Sequence, residues 1–349
     1  MTPPAAGPIP LRFPFLEPPA PGTIVEVSPG IMWARIPLPF RLDHVNVYFI
    51  EDDGGWAIVD TGISHKETRA AWEALFDGPL KGWRFTRLIV THYHPDHIGL
   101  AGWLSTRLNL PLMTSQTSYL GCINISLDPA AFESVSYRDF YRRHGMPAET
   151  ADLVSTQGHS YLTMVDPLPP TFVRLVRGDS LVLGGRTFDV LSGDGHAPEQ
   201  IMLYQPETKV FLAADQVIAT ISPNISVWAV EPDGDPLGLY LRSLGELRRI
   251  IAADALVLPG HKLPFYGLHH RCDELTLHHE QRCDALVAAC REEPKRVADL
   301  VSVLFKRALD AHQLSFAFSE SHAHANHMVR QNRLGWIDDG ATRRLVALD

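Results

Sequence analysis

The chain has 349 residues, 31 Lys+Arg against 40 Asp+Glu for a net charge of −9, and 45% hydrophobic residues. That composition excludes a disordered chain and provides a sizeable core for one large domain plus a smaller one, or for two of similar size. The acidic balance argues against tracking of nucleic-acid phosphates, which needs surplus Lys and Arg. No apolar run reaches the roughly 20 residues of a bilayer span, and the N-terminal sequence lacks a basic-then-apolar export signal. Neither nucleic acid nor membrane is therefore expected as a partner, and a cytoplasmic location is expected. Cys122, Cys272, Cys283 and Cys290 show no close pairing and read as free thiols. The unusual count is the 17 histidines, since His is both the commonest metal ligand and a proton carrier near neutral pH.

Residues 1–21 are Pro-rich, lack periodicity and read as an extended arm laid over the surface. Strand patterns follow at Thr23–Val27, Ile31–Ile36, Val45–Ile50 and Trp56–Asp60, with a turn at Asp52-Asp53-Gly54-Gly55. A helix over His65–Phe76 stops at Gly78-Pro79 and leads to the apolar strand Phe85–Thr91. About 115–170 reads as a helical insertion. Its aromatic residues Tyr119, Phe132, Tyr137, Phe140 and Tyr141 fit a core at helical spacing better than a pocket wall, yet its place after the first histidine motif marks it as a specificity element. A second strand set covers Phe172–Val176, Ser180–Leu183, Thr187–Ser192, Ile201–Gln205 and Val210–Ala214. The helix Leu237–Ala252 and the strand Ala255–Leu258 come next. Sheets and helices alternating in two halves predict two packed sheets with helices outside, over residues 22–270.

Residues 271–349 change texture, with helices expected at Cys272–Glu292, Lys295–Ala311 and Glu320–Arg333 and a hairpin over Trp336–Leu348, the order of a winged-helix module. From Thr276 onward there are ten Lys+Arg and ten Asp+Glu, which is not the basic face of a DNA reader. A packing or dimerisation role is expected, and a homodimer fits it.

The chemistry concentrates in Thr91-His92-Tyr93-His94-Pro95-Asp96-His97, where three imidazoles and a carboxylate leave the end of a buried strand within six residues. Further candidate ligands stand at the ends of other apolar strands: His196, Asp215 and His261. No Gly-x-Ser-x-Gly elbow and no cysteine beside the histidines supports a protein nucleophile.

This ordered set, with Asp60 in Ile58-Val59-Asp60-Thr61-Gly62, resembles the metallo-β-lactamase-fold hydrolases over about residues 22–270. The resemblance implies an α/β, αββα sandwich followed by a C-terminal mainly helical, winged-helix-like domain. It implies one ion on His92, His94 and His196, a second on Asp96, His97 and His261, Asp215 between them, and Asp60 behind the ligands. Two Zn2+ per chain are expected, with iron or manganese fitting the same donors. A hydroxide bridging the ions would attack a small-molecule thioester, ester or lactone, with Asp96 as the catalytic carboxylate. His94, where flavodiiron reductases carry Glu, and Asp215, where true β-lactamases differ, set those branches aside. The Pro259-Gly260-His261 motif and helical extension look like the hydroxyacylglutathione hydrolase-like group. A mononuclear-iron persulfide dioxygenase is the alternative, and a β-lactamase or a winged-helix nucleic-acid binder is less favoured.

Two further features carry weaker expectations. Glu320, His324 and His327, with His322 beside them, share a helix and read as a polar structural face or a lid in preference to a metal site. Arg271 could clasp a substrate carboxylate.

Overall fold

The computed structural model describes residues 9–40, 42–155 and 157–348. The first eight residues of the expected arm and the side chain of Phe132 lie outside the described residues.

Strands β1 (Val25–Ser28), β2 (Ile31–Pro37), β3 (His44–Asp52), β4 (Gly55–Val59), β5 (Phe85–Ile89), β6 (Leu112–Thr114) and β7 (Val173–Arg174) form one sheet in that order. β1 to β4 pair antiparallel through short turns, whereas β4 to β7 are parallel and need helical crossovers. Those crossovers are α1 (Lys66–Asp77), then α2 (Pro95–Ile98) with α3 (Ala101–Leu108). Between β6 and β7 come α4 (Gln116–Leu127), α5 (Val135–Arg143), α6 (Ala148–Val154) and α7 (Gln157–Leu162), where the insertion was expected. The second sheet contains β8 (Ser180–Leu183), β9 (Arg186–Gly193), β10 (Gln200–Gln205), β11 (Val210–Ala214) and β12 (Leu256–Pro259), in reverse spatial order. Helix α8 (Pro236–Ile250) crosses from β11 to the parallel β12.

Period-two patterning assigns the layers. Alternate residues of β3 show it: Tyr48 and Ile50 face the second sheet with Trp33, Phe188, Leu203 and Leu212, while Val45, Val47 and Phe49 pack against Trp72 and Leu104 of the outer helices. The far face of the second sheet, with Phe211 and Val257, is covered by Leu244 of α8 and by the C-terminal helices. The result is an αββα sandwich followed by a mainly helical region, α9 (Leu268–Glu292), α10 (Val297–Leu304) and α11 (Ala311–Arg330), and the hairpin β13 (Leu334–Asp338) with β14 (Arg343–Ala347).

The structure differs from expectation in several places: β6 has no counterpart among the expected strands, β7 pairs with β6 in the first sheet rather than joining the second strand set, and α9 starts at Leu268 rather than Cys272. The middle C-terminal helix ends at Leu304 rather than Ala311, and α11 starts at Ala311 rather than Glu320. The cause is Asp310, whose side chain accepts from Gln313 N at 2.8 Å as an N-cap. The insertion also reaches further than its sequence position indicates, because Phe140 and Tyr141 of α5 share one core with Leu286 of α9 and Phe318 of α11. Tyr119 stacks on Phe172 at 4.1 Å beside the first sheet. These three aromatic residues are buried packing groups. Among the described residues no helix is long and apolar enough to cross a membrane.

Candidate metal centre

β9 and β11 both pair antiparallel to β10, and β11 is parallel to β12, so the C-terminal ends of β9, β11 and β12 lie on one edge of the second sheet. His196, Asp215 and His261 leave from those ends, and His92 to His97 leave from the end of β5 in the facing sheet. Seven side chains separated by up to 169 residues thereby meet. Three overlapping sets have donor atoms within 4.8 Å of one another: His92, His94 and His196; His92, His97 and Asp215; and Asp96, His97 and His261.

In the first set the nitrogens converge, with His94 Nδ1 at 3.0 Å from both His92 Nε2 and His196 Nε2. Ligands bound about 2.0–2.1 Å from one zinc stand at nearly that mutual distance. Asp215 lies between the sets, its carboxylate oxygens 3.5 Å from His97 Nε2, 3.5 Å from His196 Nε2 and 3.3 Å from His261 Nε2. Asp96 Oδ2 is 3.2 Å from His261 Nε2. His97 Nε2, His261 Nε2 and Asp215 Oδ1 are buried without hydrogen-bond partners among the described residues, and buried polar atoms left that way are costly unless a further group satisfies them. A divalent cation fits this donor set.

The far nitrogen of each ring is held in turn. His97 Nδ1 is 2.8 Å from Asp60 Oδ2, His196 Nδ1 is 2.9 Å from the Asn224 carbonyl, and His261 Nδ1 is 2.7 Å from the His44 carbonyl. Such contacts select the tautomer that points Nε2 inward. Asp60 stands behind the donor atoms, as the resemblance implies, in the left-handed region at φ 64°; its carboxylate also accepts from Thr91 N at 2.8 Å and Thr91 Oγ1 at 2.9 Å.

Electrostatics divide the donors. Burial holds His92 well below the ordinary imidazole range and brings His94 to about 3. Both are neutral, as a metal ligand must be. For His261 burial works in the same downward direction but is outweighed by Asp215 and Asp96, which raise it to about 10, and His97 is likewise raised by Asp215, Asp60 and Asp96. Burial alone would raise Asp96 and Asp215, but the neighbouring imidazoles His97 and His261 bring both below the ordinary carboxylate range. This half of the site therefore calls for positive charge, which protons supply when no cation does.

Several contributors escape sequence reasoning. Asn46 donates from Nδ2 to the carbonyls of Pro259 at 2.9 Å and Lys262 at 2.8 Å, and its backbone N–H donates to Gly260 O at 2.7 Å. Tyr48 donates its hydroxyl to Pro259 O at 2.9 Å. The available signal was the alternation His44-Val45-Asn46-Val47-Tyr48, which puts three polar-capable side chains on one face of a buried strand. At Gly260 a Cβ would come within 2.2 Å of Asp215 Oδ1 and 2.9 Å of His97 Cε1, so only glycine lets the His261 turn approach this closely.

Two weaker expectations resolve differently. Arg271 does not reach toward the site's ligands: its guanidinium donates to the carbonyls of Ile218 at 2.8 Å and Ile221 at 2.9 Å, pinning the segment after Asp215. His322, His324 and His327 are buried on α11. His324 Nε2 faces His279 Nδ1 at 3.0 Å, His327 faces Asp235 at 3.0 Å, and Glu320 pairs with Arg282. They form a packed polar seam, not a lid over the metal donors.

Residues 40–261 match the Metallo-beta-lactamase superfamily, and residues 283–343 match the family of Metallo-beta-lactamase-like, C-terminal domains. A crystal structure of a beta-lactamase domain protein from Burkholderia ambifaria superposes with a TM-score of 0.86 at 38% identity, covering 97% of both chains. The "Probable metallo-hydrolase YqjP" of Bacillus subtilis is 25% identical over 88% of this chain and 95% of its own length. The "Linear primary-alkylsulfatase" of a Pseudomonas strain is 28% identical over 62% of this chain but only 41% of its own length. With the family match spanning the histidine loop, both sheets and the final histidine, and with a full-length structural counterpart, the chain belongs to the metallo-beta-lactamase superfamily as a metallo-hydrolase.

Proposed function

We propose that the protein hydrolyses a small-molecule thioester, ester or lactone at a dinuclear centre, with two zinc ions per chain. The observation that carries this reading is the fusion of three donor triads through His92 and His97 around the buried Asp215. His92, His94 and His196 would hold one ion and Asp96, His97 and His261 the other, with Asp215 reaching both. Such ions supply Lewis acidity and water with a pKa near 7.

The chain's own groups do the rest. Asp60 orients His97, and the carbonyls of Asn224 and His44 orient His196 and His261. Asp96 has the most exposed side chain of the three acids grouped at this site, at 21%, so it can both orient the attacking water and carry a proton toward the leaving group. A second reading, hydrolysis of a sulfate ester, is favoured by the 28% identity to the alkylsulfatase.

Elemental analysis of protein purified without added metal, paired with thioester, lactone, phosphodiester and alkyl sulfate substrates, tests the reading. Two zinc ions per chain and thioester or lactone turnover are expected. Turnover of alkyl sulfate alone would move the assignment to the second reading, and one iron with oxygen consumption would overturn both. Asp96→Asn should lower kcat by about 10²–10⁴-fold, the usual yield of general acid–base catalysis, with a smaller change in KM; undiminished turnover would remove Asp96 from the mechanism.

A further inference from the structure

A cavity of about 440 Å3 lies near His261, lined by Phe13 and Pro18 of the N-terminal arm, Arg35 of β2, Asp43, His44, Thr220, Lys262 and Leu263. Its size falls in the range of roughly 300–1,000 Å3 typical of small-molecule sites. None of the seven donor residues lines it, so it is a neighbouring subsite. It is nonetheless close, since Lys262 follows His261 directly and the His44 ring stands 6.5 Å from the His261 ring.

The lining is an apolar sleeve carrying two cations and one carboxylate. Among the described residues neither Arg35 nor Lys262 has a carboxylate within ion-pair distance; Asp43 pairs with His44 Nδ1 at 2.6 Å and is also stabilised at longer range by both cations. His44 is buried, and its Nε2 has no hydrogen-bond partner. Lys262 holds a left-handed backbone at φ 69°, a conformation that costs a lysine energy and that Gly or Asn adopts more cheaply. The Asn46 side chain clamps its carbonyl there at 2.8 Å. With two cations against the single carboxylate of Asp43, the lining carries a net positive charge, which suits an anionic ligand.

We propose that this cavity binds the far end of the substrate, a single anionic group, carboxylate or sulfate, on an apolar stem. The stem would lie along Phe13, Pro18 and Leu263, while Arg35 offers a planar fork and Lys262 a point charge. Binding energy from such a remote group positions the scissile bond. The proposal rests on the hydrolytic reading for the identity of the ligand, and its test is a binding measurement that does not need turnover.

Calorimetric titration of the metal-loaded protein with octanoate, octyl sulfate and octanol tests it, using the wild type, Arg35→Gln and Lys262→Asn. Asn relieves the left-handed strain, so Lys262→Asn should fold at least as well as the wild type. We expect both anions to bind at least tenfold more tightly than octanol, and each substitution to weaken the anions about tenfold while leaving octanol unchanged. Anion binding that survives both substitutions would place the anion on the metal ions and overturn the proposal, as would equal affinity for octanol. Retained anion binding with no ester, thioester, lactone or sulfate turnover would instead count against the hydrolytic reading alone.

Discussion

Gly260 is the tightest constraint at the scale of a single residue. Asp215 Oδ1 occupies the space a Cβ would take, at 2.2 Å, and it cannot retreat without abandoning His97 and His261. Gly260→Ala should therefore leave the fold intact by far-UV circular dichroism yet reduce the amount of bound metal and lower turnover at least a hundredfold. An unchanged metal content would show that the turn relaxes freely. Asp60 and Ala214, both at positive φ without being glycine, flank the same cluster, and strain of this kind persists where surrounding contacts over-determine it. The candidate donor residues are legible in the chain because their types and strand-end positions are local features. Gly260 could be read only as part of a motif, because the atom it must avoid belongs to a residue 45 positions earlier.

The element that matters most beyond the strand ends is the long segment between β11 and α8. It carries Asn224, whose carbonyl orients His196, and it is held from outside by the C-terminal helices. Arg271 of α9 grips Ile218 and Ile221. From α11, Asn326 donates to the carbonyls of Pro232 and Gly234, both at 2.9 Å, and the Ser319 carbonyl accepts from Val227 N at 3.1 Å. Asn326→Ala would strip two carbonyls of their donors, at a cost of about 1–3 kcal/mol for each that stays dry. The expected result is a lower denaturation midpoint together with faster loss of metal to a chelator, since His196 loses part of its support. A lower midpoint with unchanged metal release would confine α11 to packing. Sequence reading recognised the polar face of this helix but not its partner, because the contact joins residues more than 90 positions apart.

Across the whole molecule, the insertion and the C-terminal region meet in a seam of buried histidines. His144, at the end of α5, lies 4.5 Å from the His322 ring and 5.3 Å from the Trp336 ring. Burial lowers His144 to about 4, with Arg343 and Arg143 acting in the same direction and the hydrogen bond to Phe140 O opposing. An imidazole neutral in the fold but titrating near 6.5 when unfolded leaves the unfolded chain with more bound protons between those values. Its stability contribution is therefore complete above about pH 6.5 and lost as the pH falls toward 4. Each pH unit in that window removes about 1.4 kcal/mol for such a group. His144→Asn, which keeps a donor for Phe140 O, should show a shallower loss of denaturant stability than the wild type between pH 6.5 and 4.5. Parallel curves would exclude His144 as a source of acid sensitivity. Glu320 acts in the opposite sense, since burial outweighs Arg282 and raises it to about 7, so its ionisation costs stability as the pH rises.

The linear chain by itself determined the two-sheet layering, most of the strand positions and which side chains are candidate donors, but not β6 or the place of β7 in the first sheet. Hydrophobic period and residue type at strand ends are set within a few residues. Only the tertiary structure decided which donors share an atom's reach, that β3 clamps a turn more than 200 residues away, and that the insertion and the C-terminal helices share a core. It also decided that Arg35 and Lys262 face one cavity. These are pairings between distant segments, and their geometry follows from how whole sheets and helices pack rather than from any local pattern.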